Sequence, residues 1–233
     1  MANVFVAGAS RGIGLELVRR HAARGDRVFA LVRNVARQQD LQTLAGAQGA
    51  GAEGKVTLHE LDAGDIARVD DAVAALGDTP VDMLYLVAGV SGPAGPELST
   101  PIDWNEWDNA YDIMVKGPLA IFKALLPQMH DGTKVVCFSS QLAASTWELG
   151  GYYCYAGAKA ALNAMMRAVA RDVQDQGIIV TLLHPGWVQT DMGGPQAELP
   201  VEDSVTGIVT LADRLTMADT GGFFKWNGEA HPW

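Results

Sequence analysis

Short apolar runs alternate with longer stretches of helical periodicity along this chain. The runs occupy residues 4–7, 27–32, 55–61, 81–88, 134–139, 178–184 and 222–226. Most are rich in Val, Ile, Leu or Phe and are nearly continuous in apolar character. That pattern marks strands buried on both faces, hence a parallel sheet covered by helices on each side. The intervening stretches 12–24, 35–45, 66–76, 102–129, 152–176 and 201–215 are predicted as helices. Thr100-Pro101 followed by Asp103 predicts an N-cap, a proline at the first helical position and an acid in the first turn. Seven strands alternating with six helices read as a doubly wound, three-layer α/β/α domain. The glycine-rich stretch 46–54 is read as a surface loop before the third strand.

Composition narrows the class. The 233 residues suit one domain spanning the whole chain, and 48% hydrophobic with 19% charged residues is the make-up of an ordinary globular protein. The balance of 17 basic against 27 acidic residues gives a net charge of −10, which argues against nucleic acid or an anionic membrane as main partner. Two cysteines, Cys137 and Cys154, are too few for a disulfide framework, so a reducing, cytoplasmic setting is expected. Neither a signal peptide nor an 18-residue apolar span is expected.

The first strand runs into Gly8-Ala9-Ser10-Arg11-Gly12-Ile13-Gly14, and a helix follows. Glycines there allow a tight turn and close approach of backbone to a pyrophosphate, while the helix N-terminus offers free N–H groups and a positive dipole end. The spacing is Gly-x3-Gly-x-Gly. The second strand ends Leu31-Val32-Arg33-Asn34, without the acid that normally accepts from an NAD ribose. Arg33 and Arg11 are both placed to meet a 2′-phosphate, so NADP(H) is the predicted cofactor. Asp62, after the third strand, is placed either to accept from an adenine amino group or to cap a helix.

The fifth strand ends in Ser139-Ser140, and fifteen residues after Ser140 comes Tyr155-Ala156-Gly157-Ala158-Lys159. Tyr155 and Lys159 share one helix face. A fixed ammonium beside a phenol favours the phenolate and is expected to lower its pKa. A serine hydroxyl beside them can hold a substrate oxygen close to the phenol. The set suits proton transfer coupled to hydride transfer at a carbonyl carbon.

With these motifs the chain resembles the short-chain dehydrogenase/reductase family over essentially its whole length. The resemblance rests on Gly8-x3-Gly12-x-Gly14, Ser140, Tyr155-x3-Lys159, and Pro185-Gly186 followed by Thr190. It implies a Rossmann-like, seven-stranded parallel sheet and NAD(P)(H)-dependent oxidoreduction. It also implies roles: Tyr155 as general acid/base, Lys159 on the nicotinamide ribose, and Ser140 orienting substrate. Ala88 and Gly89 would leave room for the adenosine side. The segment from Pro185 and Gly186 through Val188 would contact the nicotinamide, with Thr190 on its carboxamide. The ending 221–233 is similar to the small carbonyl-reductase and C-factor-like branch. The expected activity is NADPH-dependent reduction of a small or medium aldehyde or ketone. A cofactor-binding sensor or scaffold with little turnover is the alternative. Epimerase chemistry is disfavoured, because those relatives carry a longer C-terminal domain and a different glycine turn.

Two departures from the family pattern stand out. Leu86-Val87-Ala88-Gly89 replaces the usual Asn-Asn-Ala-Gly, so two side-chain amides are missing. Met114-Val115-Lys116-Gly117 stands where Asn-x-x-Gly is usual, putting a thioether in place of an amide near the lysine. Asn109 is the other candidate for that amide. Trp104, Trp107 and Tyr111 form an i, i+3, i+7 stripe, read as core or subunit interface; the family resemblance favours the interface of a homodimer or homotetramer. Trp147, Tyr152 and Tyr153 are read equally as pocket wall or packing. Residues 191–203, chiefly 192–199, are read as a short lid. His184 is read as a packed or capped histidine. His21, His59, His130 and His231 show no metal-ligand spacing, and both cysteines are read as packing residues.

Overall fold

The computed structural model describes residues 1–47, 55–93, 98–148 and 150–233. Its centre is a seven-stranded sheet: β1 (Asn3–Ala7), β2 (Arg27–Val32), β3 (Val56–Glu60), β4 (Val81–Leu86), β5 (Met129–Phe138), β6 (Ile179–His184) and β7 (Phe223–Lys225). The spatial order is β3-β2-β1-β4-β5-β6-β7 and every pairing is parallel. Chain order therefore reverses direction between β1 and β4. At such a switch point in an open parallel sheet a crevice forms outside the carboxyl ends of the strands.

The near-continuous apolar runs supply both faces of the sheet. Phe5, Phe29, Leu31 and Leu84 pack under α3 (Val69–Ala74), α5 (Gly117–Leu125) and α6 (Tyr153–Asp172). Their neighbours in sequence, Val4, Val28, Ala30 and Tyr85, pack under α1 (Gly12–Ala23), α2 (Gln39–Ala47) and α7 (Val201–Arg214). The alternation of side-chain direction along a strand divides each run between two cores. The edge strands β3 and β7 are partly open, as is the start of β5.

Several expected boundaries change. The stretch 35–45 begins with a 3₁₀ turn over Val35–Arg37 before α2, and 66–76 begins with one over Ile66–Arg68 before α3. The single helix expected over 102–129 is four pieces: α4 (Trp104–Tyr111), a π-helical turn over Asp112–Lys116, α5, and a 3₁₀ turn over Leu126–Gln128. Pro118 explains the break. It has no N–H to give the Met114 carbonyl, its α-helical partner, and its ring crowds that position. The Gly117 N–H instead reaches back to the Asp112 carbonyl, a five-residue step. The cap of α4 is Asp103, whose carboxylate accepts from the amides of Asn105 and Glu106 at 2.9 and 3.1 Å, not Thr100. An ionised carboxylate serving two amides at a helix N-terminus is the better cap. The loop expected over 46–54 lies, from residue 48 on, outside the described residues. Among those described, no helix is long and apolar enough to cross a membrane, and no cluster of metal-ligating side chains occurs.

Candidate active site

The crevice at the switch point is built first by glycines. The chain leaves β1 at Gly8 with φ +94°, a conformation that L side chains rarely adopt. A side chain on Gly14 would overlap the Gly8 carbonyl, so the start of α1 can lie this close to the turn only without one. Gly8, Ser10, Arg11, Gly12, Ile13 and Gly14 all line the crevice. No side chain caps α1, and its first turn carries no acid. Its leading N–H groups therefore face the crevice as an anion site.

The missing amides at the end of β4 are replaced by backbone bonds. The N–H groups of Val87 and Ala88 both donate to the Ala7 carbonyl, at 2.9 and 3.0 Å, which brings Ala88 and Gly89 against the glycine turn.

The two arginines differ in state. Arg33 is exposed at the end of β2, lines the crevice, and makes no hydrogen bond or ion pair with a described residue. Arg11 is ion-paired at 3.0 Å with Asp191 across the mouth of the crevice. Asp191 was not singled out by sequence. Asp62 lines the crevice, and one of its oxygens accepts from the Gly64 N–H at 2.9 Å. That makes it a turn former rather than a helix cap, since the following 3₁₀ turn starts beyond Asp65.

Ser140, Tyr155 and Lys159 converge beside the crevice. Ser140 follows β5, and its Oγ accepts from the Leu142 N–H at 3.2 Å. Its hydroxyl faces the Tyr155 phenol. Burial pushes that phenol above its ordinary value, and the nearby Ser140 side chain opposes the rise. The expected lowering by Lys159 is not what this structure shows. The ammonium lies 5.8 Å from the Tyr155 ring centroid and donates to the Phe138 carbonyl at 2.6 Å. Burial draws the lysine itself down to about 8, so at neutral pH it is still largely charged. The phenol is then protonated and available as an acid.

Met114 does occupy the place beside Lys159. A methyl on Gly89 would lie 3.6 Å from the Lys159 Nζ and 3.8 Å from the Met114 Sδ, and Met114 is fully buried. The π turn delivers it there, whereas Asn109 is exposed on α4. Pro185 and Thr190 line the crevice. Gly186 and Val188 do not: Gly186 packs against Leu199 and Trp226, and Val188 is buried, bridging to Leu199. They shape the segment that carries Thr190. The following residues 191–199 fold back tightly, with Gln189 and Leu199 bonded to each other's strand, and α7 begins at Val201.

Ser139 is a contributor that sequence reasoning missed. Its Oγ is buried without a hydrogen-bond partner among the described residues, and the residue lines the crevice. A buried hydroxyl without a partner is costly. Together with the uncapped α1 and the side-chain-free turn, it fits a polar dinucleotide in the crevice.

A glycine-cradled crevice at a switch point, with Ser140, Tyr155 and Lys159 gathered at its edge, is the arrangement of an oxidoreductase of the dinucleotide-binding class. The short chain dehydrogenase family model matches residues 2–199, and the chain belongs to that family. It is 41% identical to C-signal of Myxococcus xanthus over 159 residues, covering 66% of this chain and 93% of the relative. Among solved structures it is similar to the NADPH-bound carbonyl reductase from chicken fatty liver, with TM-score 0.88 and 28% identity over 100% of this chain and 99% of that one. A carbonyl reductase from Pseudomonas aeruginosa PAO1 in complex with NADP gives TM-score 0.85 and 31% identity over 100% of both chains.

Proposed function

We propose that this protein is an NADPH-dependent carbonyl reductase acting on small or medium aldehydes and ketones. The observation that carries the reading is the gathering of Ser140, Tyr155 and a buried Lys159 at the edge of a glycine-cradled crevice. The unpaired Arg33 at the end of β2 supports a 2′-phosphate, and the NADP-bound structural relatives agree with that choice. Gly8 to Gly14 and the α1 N-terminus would hold the pyrophosphate. Thr190 and Ser139 would meet the nicotinamide end, which supplies a hydride to the carbonyl carbon. Ser140 donates a hydrogen bond to the substrate oxygen and fixes it near the phenol. Tyr155 passes its proton to that oxygen. Lys159, held by the Phe138 carbonyl, is the positive charge that stabilises the resulting phenolate.

The reading extends to one cofactor-binding unit over 1–233, with 191–203 as lid, working in the cytoplasm as a homodimer or homotetramer. NADPH oxidation over a panel of aldehydes and ketones tests it. Tyr155→Phe is expected to lower turnover by about 10²- to 10⁴-fold, the usual worth of a general acid. An unchanged rate removes Tyr155 from the mechanism. One observation favours a second reading, a cofactor-binding sensor: the thioether of Met114 beside Lys159, which cannot donate to a proton relay. Tight NADPH binding without turnover on any carbonyl would select it.

A further inference from the structure

We propose that His184 is a positioning residue for Ser140: its Nδ1 accepts the Gln141 N–H and so fixes the turn that presents the Ser140 hydroxyl to Tyr155. The inference rests on the reading of Ser140 given under Proposed function. It starts from the sheet. Phe138 and Leu183 are paired across β5 and β6, and the Ser139 N–H donates to the Leu183 carbonyl at 2.7 Å. There the ladder ends. The chain leaves β5 and makes a 3₁₀ turn over Gln141–Ala143. The first amides of that turn have no strand carbonyl to reach, and such N–H groups need an acceptor from elsewhere.

Two side chains supply it. The Leu142 N–H donates to the Ser140 Oγ, and the Gln141 N–H donates to the His184 Nδ1, each at 3.2 Å. Because Ser140 accepts from Leu142, its own proton stays free to be given towards the phenol or a substrate oxygen. Because a backbone N–H can only donate, the His184 Nδ1 must be the bare nitrogen, with the neutral ring protonated at Nε2. The ring is buried at 8% exposure, its carbonyl accepts from the Trp226 N–H at 2.8 Å, and the His231 ring stands 5.5 Å away. Burial, His231 and Lys225 together hold the imidazole down to about 4, so it remains an acceptor throughout the working range. A histidine that merely filled space would not need its Nδ1 aimed at the residue after Ser140.

The test uses the full chain as wild type, His184→Leu and His184→Asn, where the Asn Oδ1 can take the place of Nδ1. Amide exchange at Gln141 is read by NMR, with ¹⁵N-histidine reporting the tautomer. The expected result is a bare Nδ1 and a protected Gln141 amide in the wild type. Exchange becomes about tenfold faster or more in His184→Leu and is restored in His184→Asn. A protonated Nδ1, or protection that survives in His184→Leu, overturns the proposal. Should His184→Leu not fold, the wild-type tautomer and the Asn variant still decide it. With NADPH and 4-nitrobenzaldehyde as probe, His184→Leu should lower kcat about 3- to 10-fold, the worth of one neutral hydrogen bond, with the KM for NADPH unchanged. In a Ser140→Ala background the same change should cost nothing further. An equal loss in that background means that His184 does not act through Ser140 and overturns the proposal. If the wild type turns over no carbonyl, the reductase reading fails while the amide and tautomer measurements still decide the role of His184.

Discussion

Arg33 and Arg11 carry the same charge at the same crevice, but among the described residues only Arg11 has a partner. Arg11 is engaged with Asp191, and both side chains are exposed, at 65% and 74%, so the pair is weak and readily exchanged. Arg33 has no partner among the described residues to leave. Binding of NADPH should therefore depend more on Arg33. Arg33→Ala is expected to weaken NADPH about 10- to 100-fold, the range of a charge-assisted hydrogen bond, with NADH affinity unchanged. Arg11→Ala should cost less, and Asp191→Asn should strengthen NADPH slightly by releasing Arg11. Fluorescence titration with both cofactors checks all three. Equal wild-type affinities for NADPH and NADH would remove the 2′-phosphate from the argument. At this scale the sequence was informative where chemistry depends on spacing along one element, as with the glycine turn or Tyr155 and Lys159. It was silent where the partner comes from a distant segment, as with Asp191 facing Arg11 or His184 facing Gln141, because no periodicity reports such pairs.

Among elements, most strands matched their apolar runs to within a few residues, since burial on both faces leaves a plain signal; β5 instead begins at Met129, five residues before its run, through a largely exposed start that carries no such signal. The stretch 102–129 did not match, although the reason was legible in Pro118, whose missing N–H forces the π turn. That turn is also what places Met114 beside Lys159. The aromatic stripe of α4 divides in the same way. Trp107 stacks on Tyr111 at 6.2 Å, and the Tyr111 hydroxyl fits over Gly157 of α6, so both are used in packing within the chain. Trp104 remains 64% exposed, and Tyr152 and Tyr153 of the neighbouring α6 start are exposed too. If the face pairs with a second copy, Trp104 is the residue that such an interface buries. Trp104→Glu is expected to leave the melting temperature of the isolated fold nearly unchanged and to shift the mass in light scattering to that of a monomer. A wild type already monomeric at micromolar concentration would overturn the interface.

In the whole molecule, chemistry and stability reside in different parts of one sheet. The reactive groups gather at the carboxyl ends of the strands. Under α1, a separate buried network ties the elements together. The His21 Nδ1 meets the Asp26 Oδ2 at 2.8 Å, and its Nε2 meets the Tyr85 hydroxyl at 3.1 Å. Asp26 also accepts from the Ala2 N–H at 3.0 Å and pairs with Arg24, which reaches Asp213 of α7. Burial lowers the pKa of His21, against the pull of its Asp26 bond. Burial alone would raise the Asp26 carboxyl, but the bonds from His21 and Ala2 and the charge of Arg24 bring it below its usual value. The two signs act over different pH ranges. A histidine kept neutral in the fold but protonated in the unfolded chain costs stability as pH falls below its ordinary 6.5. A carboxylate with a depressed pKa contributes stability that is complete above 3.8 and lost only as pH falls through its lower folded value. Between pH 7.5 and 5 the histidines that burial keeps neutral, His21, His59 and His184, together outweigh the opposite sign of His130, and the melting temperature should fall with pH, by about 2–4 °C for each kcal/mol lost. His21→Gln keeps a donor to Asp26 but cannot titrate. It should make that part of the curve shallower, by the share that His21 adds to His184 and His59, while leaving the loss near and below pH 4 in place. Differential scanning calorimetry across this range checks it, and an unchanged slope in the variant would show that another group sets the acid limit.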